Sequence, residues 1–189
     1  MSLEKDFEAF KNAAETRKKI FDEAVNYYKS RSFQWNEYPK NSNSNAISKI
    51  ESAVYAFFVK NPSGRAERIL ATVGDKKMSQ KDNHLPKLNT NCQELFKRKG
   101  CLYIGSVTSE FLEDRLKKHW REKHADVSNG TYALKLCDWI GEAEISKDDI
   151  TVYFCDMTGQ REEIVRAVED CLAAVHCPLL GKRGDSPKG

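Results

Sequence analysis

The spacing of apolar residues divides the chain of 189 residues into helical and extended segments. Apolar residues recur at steps of three and four over 3–29, which predicts one long amphipathic helix. The stripe consists of Leu3, Phe7, Phe10, Ala14, Ile20, Phe21, Ala24, Val25 and Tyr28. Short runs rich in β-branched and aromatic residues predict three buried strands. These strands are 52–59, 101–107 and 150–155. Helical spacing returns after the second and third strands, at about 108–120 and 160–176.

The remaining segments are richer in turn-forming residues. Serine, asparagine and proline cluster at 39–45, and 61–100 is a long polar insertion with an expected short helix near 92–99. Two segments, 68–73 and 131–140, fit either a helix or an extended piece. Because strands alternate with helices but only three strands are clear, we expect an α+β fold. Its sheet should be small, mainly antiparallel and flanked by helices.

The same pattern predicts the division of the chain into domains. Residues 1–48 form an N-terminal helical arm and linker, and 49–189 form one domain that carries the insertion at about 61–100. A composition of 40% hydrophobic and 31% charged residues is that of a globular protein. No apolar run is long enough to span a membrane, and the first residues lack an apolar signal region. We therefore expect a cytoplasmic protein without a membrane partner.

Charge and cysteine content restrict the function only weakly. The net charge is +3, which permits a nucleic-acid partner without requiring one. The six cysteines contain no C-x-x-C pair, and the four histidines add no zinc-finger spacing, so we expect no structural zinc site. In an intracellular protein we expect all six to be reduced and to serve as small core residues. They are Cys92, Cys101, Cys137, Cys155, Cys171 and Cys177.

The helix that follows the second strand carries polar residues where its apolar stripe predicts apolar ones. Thr108 or Ser109 is suited to cap this helix, and its stripe includes Leu112 and Leu116. Arg115 and His119, four residues apart, lie within or beside that stripe. A fixed cation and a titratable imidazole on an apolar face indicate either a functional site or a structural ion pair.

Glu169 is a second charged residue on an apolar margin. Val165 precedes it by four residues and Leu172 follows it by three, so it lies at the edge of the buried face of the last helix. A carboxylate there is costly unless it is paired or bound to a metal. Spacing alone favours an ion pair, for instance with Arg115. Tyr55 and Tyr103 lie in strands and, taken alone, indicate core residues with hydroxyls at the rim.

In their order along the chain, these residues resemble the GIY-YIG nuclease domain. The resemblance covers about 52–185. It rests on Ala53-Val54-Tyr55 in the first strand, Tyr103-Ile104-Gly105 in the second, Arg115 and His119 on the next helix, and Glu169 far downstream. The sequence departs from the family in three respects. The first motif begins with alanine instead of glycine, an insertion separates the two tyrosines, and no asparagine follows Glu169.

The resemblance implies a metal-dependent endonuclease that hydrolyses phosphodiester bonds in DNA. Its expected catalytic residues are Tyr55, Tyr103, Arg115, His119 and Glu169. Glu169 would hold one Mg²⁺, or Mn²⁺, beside a phosphate oxygen and the leaving 3′-oxygen. Arg115 would stabilise the charge of the transition state. The tyrosines and His119 would position and deprotonate the water, and the resemblance favours a tyrosine as base, with His119 bonded to it.

Neighbouring basic residues are candidates for contacts with the DNA backbone. They are Lys117, Lys118, Arg121, Lys182 and Arg183. Two other functions stay open. The chain could be a nucleic-acid-binding module that has lost catalysis, which the missing asparagine favours. It could also be an interaction protein in which Arg115 and Glu169 form a structural ion pair.

Overall fold

A computed structural model describes residues 3–30, 33–38, 47–79, 85–120 and 133–181. Within these ranges the chain forms five α-helices and a four-stranded antiparallel sheet. The helices are α1 (Leu3–Lys29), α2 (Ala66–Ser79), α3 (Gln93–Lys99), α4 (Leu112–Trp120) and α5 (Glu162–His176). The strands are β1 (Asn36–Glu37), β2 (Ala53–Val59), β3 (Cys101–Val107) and β4 (Ile150–Asp156). The predicted α+β class is therefore confirmed. None of the described helices is long and apolar enough to cross a membrane.

The sheet has the strand order β1-β4-β2-β3, and all three pairings are antiparallel. β2 lies between β4 and β3, and six of its seven residues are buried, as its nearly continuous apolar sequence predicts. β3 forms the opposite edge of the sheet from β1. The end of the described chain runs along β3, because the Leu179 and Leu180 N–H groups donate to the Cys101 and Leu102 carbonyls at 3.1 and 2.8 Å.

The two faces of the sheet are covered by different helices. On one face Val54, Ala56 and Ile104 pack against α1 and α5. On the other face Tyr55 and Phe57 pack against α2, α3, α4 and the segment 134–145. This division follows from the two-residue period of a strand, which sends successive side chains of β2 to opposite faces. Tyr55 therefore lies on the same side of the sheet as α4.

The structure decides the two segments that the sequence left open. Residues 68–73 are helical and belong to α2, which lies wholly within the expected insertion at 61–100. Residues 133–135 are extended and lead into a short 3-10 turn, Leu136–Asp138. β1 was not predicted, because a strand of two residues is too short to show a period. The expected turn at 39–45 lies outside the described residues.

The expectation that all six cysteines are reduced is wrong for two of them. Cys92, at the start of α3, and Cys177, which ends α5, form a disulfide with a Cα–Cα distance of 5.4 Å. They are 85 positions apart, so only the packing of the insertion against the end of α5 brings them together. The other four are free, as expected, and Cys101 and Cys155 are buried. The disulfide therefore fastens the insertion to the C-terminal end of α5.

We expect loss of this disulfide to destabilise the fold. A bridge that closes a long loop restricts the unfolded chain, and its removal typically costs about 2–5 kcal/mol. The Cys92→Ser variant should therefore unfold at a lower urea concentration than the oxidised wild type. Cys137→Ser, which replaces an exposed free thiol, is the matched control and should leave the midpoint unchanged. Equal midpoints for oxidised and reduced wild-type protein would contradict the expectation.

Candidate active site

Gly105 allows two tyrosine rings to meet above the sheet. Tyr55 of β2 lies opposite Gly105 of β3 in the antiparallel register. A Cβ atom at residue 105 would lie 2.7 Å from the Tyr55 hydroxyl and 2.7 Å from Tyr103 Cε1, which is too close for any real side chain. The two rings stack with centroids 6.3 Å apart and an interplanar angle of 30°. The absence of a side chain at Gly105 is thus what brings the hydroxyls of these strands together.

Helix α4 brings Arg115 and His119 to the same tyrosine. Leu112 and Leu116 are fully buried and hold the helix against the core. His119 is fully buried too, and its Nε2 lies 2.8 Å from the Tyr55 hydroxyl oxygen. Arg115 Nε donates to the same oxygen at 3.0 Å. The four-residue spacing seen in the sequence therefore places both nitrogens around one buried phenol.

The direction of these hydrogen bonds follows from the other nitrogen of His119. The Leu134 N–H donates to Nδ1 at 3.0 Å, so Nδ1 carries no proton. Burial, together with the nearby positive charge of Arg115, holds the pKa of His119 well below its usual value, so the ring is neutral at pH 7. Its single proton is then on Nε2, which donates to Tyr55. The Tyr55 hydroxyl oxygen thus accepts two hydrogen bonds, from His119 and Arg115, so its own proton must be donated to a third group.

Tyr103 is the next group along this chain of hydrogen bonds. Burial raises the pKa of Tyr103, whereas the charge of Arg115 and hydrogen bonds from Arg115 and Tyr55 oppose the increase. The pKa of Tyr55 lies well above 10, mainly because of burial. Unlike the fully buried Tyr55 and His119, Tyr103 keeps part of its side chain in contact with solvent. Of these three residues, Tyr103 is the only one that is partly exposed.

Arg115 supplies a permanent positive charge to the site. Burial would lower its pKa, but Tyr55, Tyr103 and Glu110 outweigh that effect and raise it, so the guanidinium stays protonated. Its Nη1 lies 3.8 Å from a Glu110 carboxylate oxygen, and its side chain is 15% exposed. Glu110 also forms an ion pair with Lys118. One carboxylate therefore lies between two cations at the exposed edge of the site.

Glu169 approaches the tyrosines from α5. It is partly exposed, and it accepts a hydrogen bond from the Ser106 hydroxyl, on the strand that carries Tyr103. Its charge contributes to raising the pKa of both Tyr55 and Tyr103, which places the carboxylate within electrostatic reach of the phenols. Tyr55, Tyr103, Arg115 and His119 are thus grouped on the face of the sheet that α4 covers, and Glu169 approaches the same edge strand, β3, from the side of α5.

The donor set at this edge is compatible with a magnesium ion. Mg²⁺ retains several waters and is commonly bound by one or two carboxylates together with phosphate oxygens of the substrate. A carboxylate offers about four lone-pair positions, so the bond from Ser106 leaves Glu169 able to bind an ion. Among the described residues there is no cluster of three His, Cys, Asp or Glu side chains that could hold a metal. Glu169 fits a hydrated ion shared with a substrate.

The predicted DNA-contact residues have different outcomes. Lys117 pairs with Glu113 at 2.9 Å, and Lys118 pairs with Glu110, so acidic neighbours partly neutralise both of these lysines. Arg121, Lys182 and Arg183 lie outside the described residues. The described chain ends close to the site, because a Cβ atom at Gly181 would lie 3.6 Å from the Tyr103 ring. Contact of the five predicted residues with a nucleic acid stays a prediction.

Three contributors to the site were missed from the sequence: Ser106, Glu110 and Leu134. Ser106 follows the Tyr-Ile-Gly motif directly, and alternation along the strand places it on the face that meets α5. Glu110 precedes Arg115 by five positions, too far to be recognised as a helical ion pair. Leu134 contributes only its backbone N–H, which leaves no sequence signal.

We expect His119 to stay neutral in mildly acidic solution. The ¹⁵N NMR shifts of its ring should report an Nε2–H tautomer at pH 7 that persists to pH 5. Because its pKa is lowered by folding, the unfolded state binds the proton first, and the free energy of unfolding should decrease as pH falls below about 6.5.

His176 also has a lowered pKa, so the His176→Gln variant separates the two contributions. The part of the decrease in stability that is due to His119 should persist in that variant. A charged His119 ring at pH 6.5 would contradict the assigned hydrogen-bond direction.

Comparisons with known proteins do not assign this chain to a family. No protein-family model, no curated protein and no solved structure matches it. The resemblance to the GIY-YIG nuclease domain therefore rests on the residues named above and on the way in which the fold groups them.

Proposed function

We propose that this protein is a metal-dependent endonuclease that hydrolyses phosphodiester bonds in DNA. The observation that supports the proposal is the grouping of a buried Arg115–Tyr55–His119 hydrogen-bond network with the carboxylate of Glu169. The alternative of a structural ion pair between Arg115 and Glu169 has less support. The ion pair described for Arg115 is with Glu110, its described hydrogen bond goes to Tyr55, and the hydrogen bond described for Glu169 comes from Ser106.

Arg115 is suited to bind the phosphate that is cut. Its Nε is fixed by Tyr55, which sets the orientation of the guanidinium plane, and its Nη1 is held by Glu110 at the long distance of 3.8 Å. A phosphate oxygen binds a guanidinium strongly and can take the place of this carboxylate. Since Arg115 cannot lose its proton, it would stabilise the extra negative charge that develops on phosphorus.

Tyr103 is suited to accept the proton of the attacking water. It is the partly exposed member of the network, and Arg115 and Tyr55 both stabilise its deprotonated form by hydrogen bonding. His119 cannot serve as the base directly, because Leu134 occupies Nδ1 and Nε2 is directed at Tyr55. His119 instead acts as a positioning residue that orients the Tyr55 hydroxyl. This assignment gives the water-activating role to a tyrosine, as the resemblance implies.

Glu169 would hold the metal ion. Bound there, Mg²⁺ would supply positive charge beside the phosphate and the leaving 3′-oxygen. Ser106 fixes one carboxylate oxygen and so orients Glu169 toward the strand that carries Tyr103.

The alternative function, a DNA-binding module without catalysis, is favoured by the absence of an asparagine after Glu169 and is distinguished by the assay below. The cytoplasmic location expected from the sequence stays a prediction.

We expect the purified protein to nick or cut DNA when Mg²⁺ is added. A panel of supercoiled, linear and branched DNAs would reveal the substrate class. Glu169→Gln should lower the single-turnover rate by roughly 100-fold or more, because a bound metal ion contributes several kcal/mol of charge stabilisation. Arg115→Ala should lower it by about 100- to 1,000-fold, the usual cost of losing a group that stabilises transition-state charge.

The matched control is Glu163→Gln, an exposed carboxylate six residues earlier on α5, which should leave the rate unchanged. Circular dichroism of each variant verifies that the fold is retained. Wild-type protein that binds DNA in a salt-sensitive manner but cuts none of the panel with any divalent metal would refute the nuclease and support the binding module.

The cleavage rate should increase with pH. The pKa values of both tyrosines are raised by burial, so at neutral pH the phenols are almost entirely protonated. The fraction of a phenolate base then increases about tenfold for each pH unit, and the single-turnover rate should follow between pH 7 and pH 9. A histidine base with a lowered pKa would already be fully deprotonated there. A rate that is flat over this range would therefore exclude the tyrosine assignment.

A further inference from the structure

Helix α1 extends well beyond the part of it that packs on the domain. It has 27 residues, which corresponds to about 40 Å. Among the side chains of α1 that the structure describes, the packed ones lie in its C-terminal part: Ala24 is fully buried, and Ile20 and Tyr27 are partly buried against α5 and the sheet. From Glu8 to Lys19, every side chain that the structure describes is exposed. Helices in proteins are stabilised mainly by packing, so this length of unsupported helix calls for a partner.

A second apolar stripe runs along α1 beside the packed face. It follows a heptad spacing, with one set of positions at 7, 14, 21 and 28 and a second set at 3, 10, 17 and 24. Seven of the eight positions are apolar or aromatic, and Arg17 is the exception; the seven are Leu3, Phe7, Phe10, Ala14, Phe21, Ala24 and Tyr28. At about 100° per residue, its centre lies roughly a quarter turn around the helix from the packed face. Ala24 is buried against the domain, whereas Phe21 and Tyr28 are 52% and 39% exposed, so the domain leaves these two large side chains of the stripe uncovered.

We propose that this stripe pairs with the same stripe of a second copy of the chain, forming an antiparallel two-helix coiled coil. The inference does not depend on the proposed nuclease activity. Heptad spacing of apolar residues is the pattern by which two helices bury a shared seam. A symmetric pair is also the commonest way in which a protein covers a surface of this kind.

The charges of α1 favour a second copy in the antiparallel direction. Residues 4–8 contain Glu4, Asp6 and Glu8 against one lysine, whereas 17–19 is Arg-Lys-Lys. An antiparallel pair places the acidic stretch of each helix beside the basic stretch of the other. A parallel pair places like charges together and sets Arg17 opposite its own copy within the seam. The helix is therefore complementary to itself only when it is reversed.

The sequence also favours one register. If the two helices cross near position 12, position 10 lies opposite position 14 of the second copy, which matches phenylalanine with alanine. Position 3 then lies opposite position 21, and Glu4 lies beside Lys18. Arg17 comes opposite Phe7, where a guanidinium can lie on an aromatic ring. The packed parts of α1 fall at opposite ends of the pair, so each end of the pair carries one domain.

A nucleic acid is a poorer occupant of this surface. α1 carries six acidic and six basic residues, so its net charge is zero. Glu15 precedes the basic stretch, and Asp22 and Glu23 follow it. A polyanion would therefore meet acidic groups on both sides of the three cations.

The oligomeric state of the full chain tests the proposal. Sedimentation velocity over a concentration series should give a species of twice the chain mass of 21.6 kDa. Phe21→Glu places a charge in the seam at an exposed position and should give the monomer at the same concentrations, with unchanged circular dichroism from the domain. Val175→Glu is the matched control, because Val175 is equally exposed, at 54%, but lies on α5.

A charge exchange tests the antiparallel direction. Lys18→Glu should weaken dimerisation by about tenfold, because each dimer contains the Glu4–Lys18 pair twice. Adding Glu4→Lys to that variant should restore the affinity of the wild type, whereas Glu4→Lys alone should weaken it.

Three results would overturn the proposal. The first is a monomer at every concentration that the protein tolerates. The second is a dimer that Phe21→Glu leaves intact, and the third is a charge exchange that fails to restore affinity. If the protein is monomeric alone and Phe21→Glu abolishes its binding to DNA, the stripe is a nucleic-acid contact instead. None of these measurements requires DNA cleavage. Failure of the dimer proposal can therefore be distinguished from failure of the proposed nuclease function.

Discussion

The hydroxyl of Tyr55 is the point on which the site depends, because it accepts N–H groups from both Arg115 and His119 in a buried position. A buried polar group without partners is costly, so each of the three side chains fixes the other two. Satisfying these hydrogen bonds also depends on residues outside the three. His119 holds its tautomer through the Leu134 backbone, and the Tyr55 hydroxyl has room only because residue 105 lacks a side chain. The strand pairing, α4 and the segment after it are thus coupled through one oxygen atom.

Much of this arrangement could be predicted from residue order. Arg115 and His119 could be recognised because they interrupt an apolar stripe, and Glu169 because it borders one. Their spacing could not show that Arg115 binds a tyrosine while Glu169 binds Ser106, since that depends on how α4 and α5 pack on different faces of the sheet. The spacing of apolar residues also failed to predict the secondary structure where elements were short. β1 contains two residues, and the 3-10 turn after Lys135 is too brief to distinguish from a helix by its apolar positions.

The disulfide shows a different limit of sequence reasoning. The prediction of reduced cysteines followed from the expectation of a cytoplasmic protein, in which disulfides are rare. No local pattern relates Cys92 to Cys177, because the contact forms only after the insertion has folded against the end of α5. The bridge encloses Tyr103, Arg115, His119 and Glu169 within one covalent loop and leaves Tyr55 outside it. The redox state of the surroundings and the rigidity of the candidate site are therefore linked through the chain itself.

The position of Glu110 between Arg115 and Lys118 has a consequence for the thermodynamics of binding. Ordinarily a cation that neutralises a DNA phosphate releases a counterion from the DNA, and this release makes affinity fall steeply with salt. Here the two cations already share an internal anion. A phosphate that replaces Glu110 at Arg115 leaves this carboxylate paired with Lys118, so the charge of Lys118 stays neutralised and displaces no counterion from the DNA. Binding at this site would therefore depend on salt less steeply than its number of basic side chains suggests.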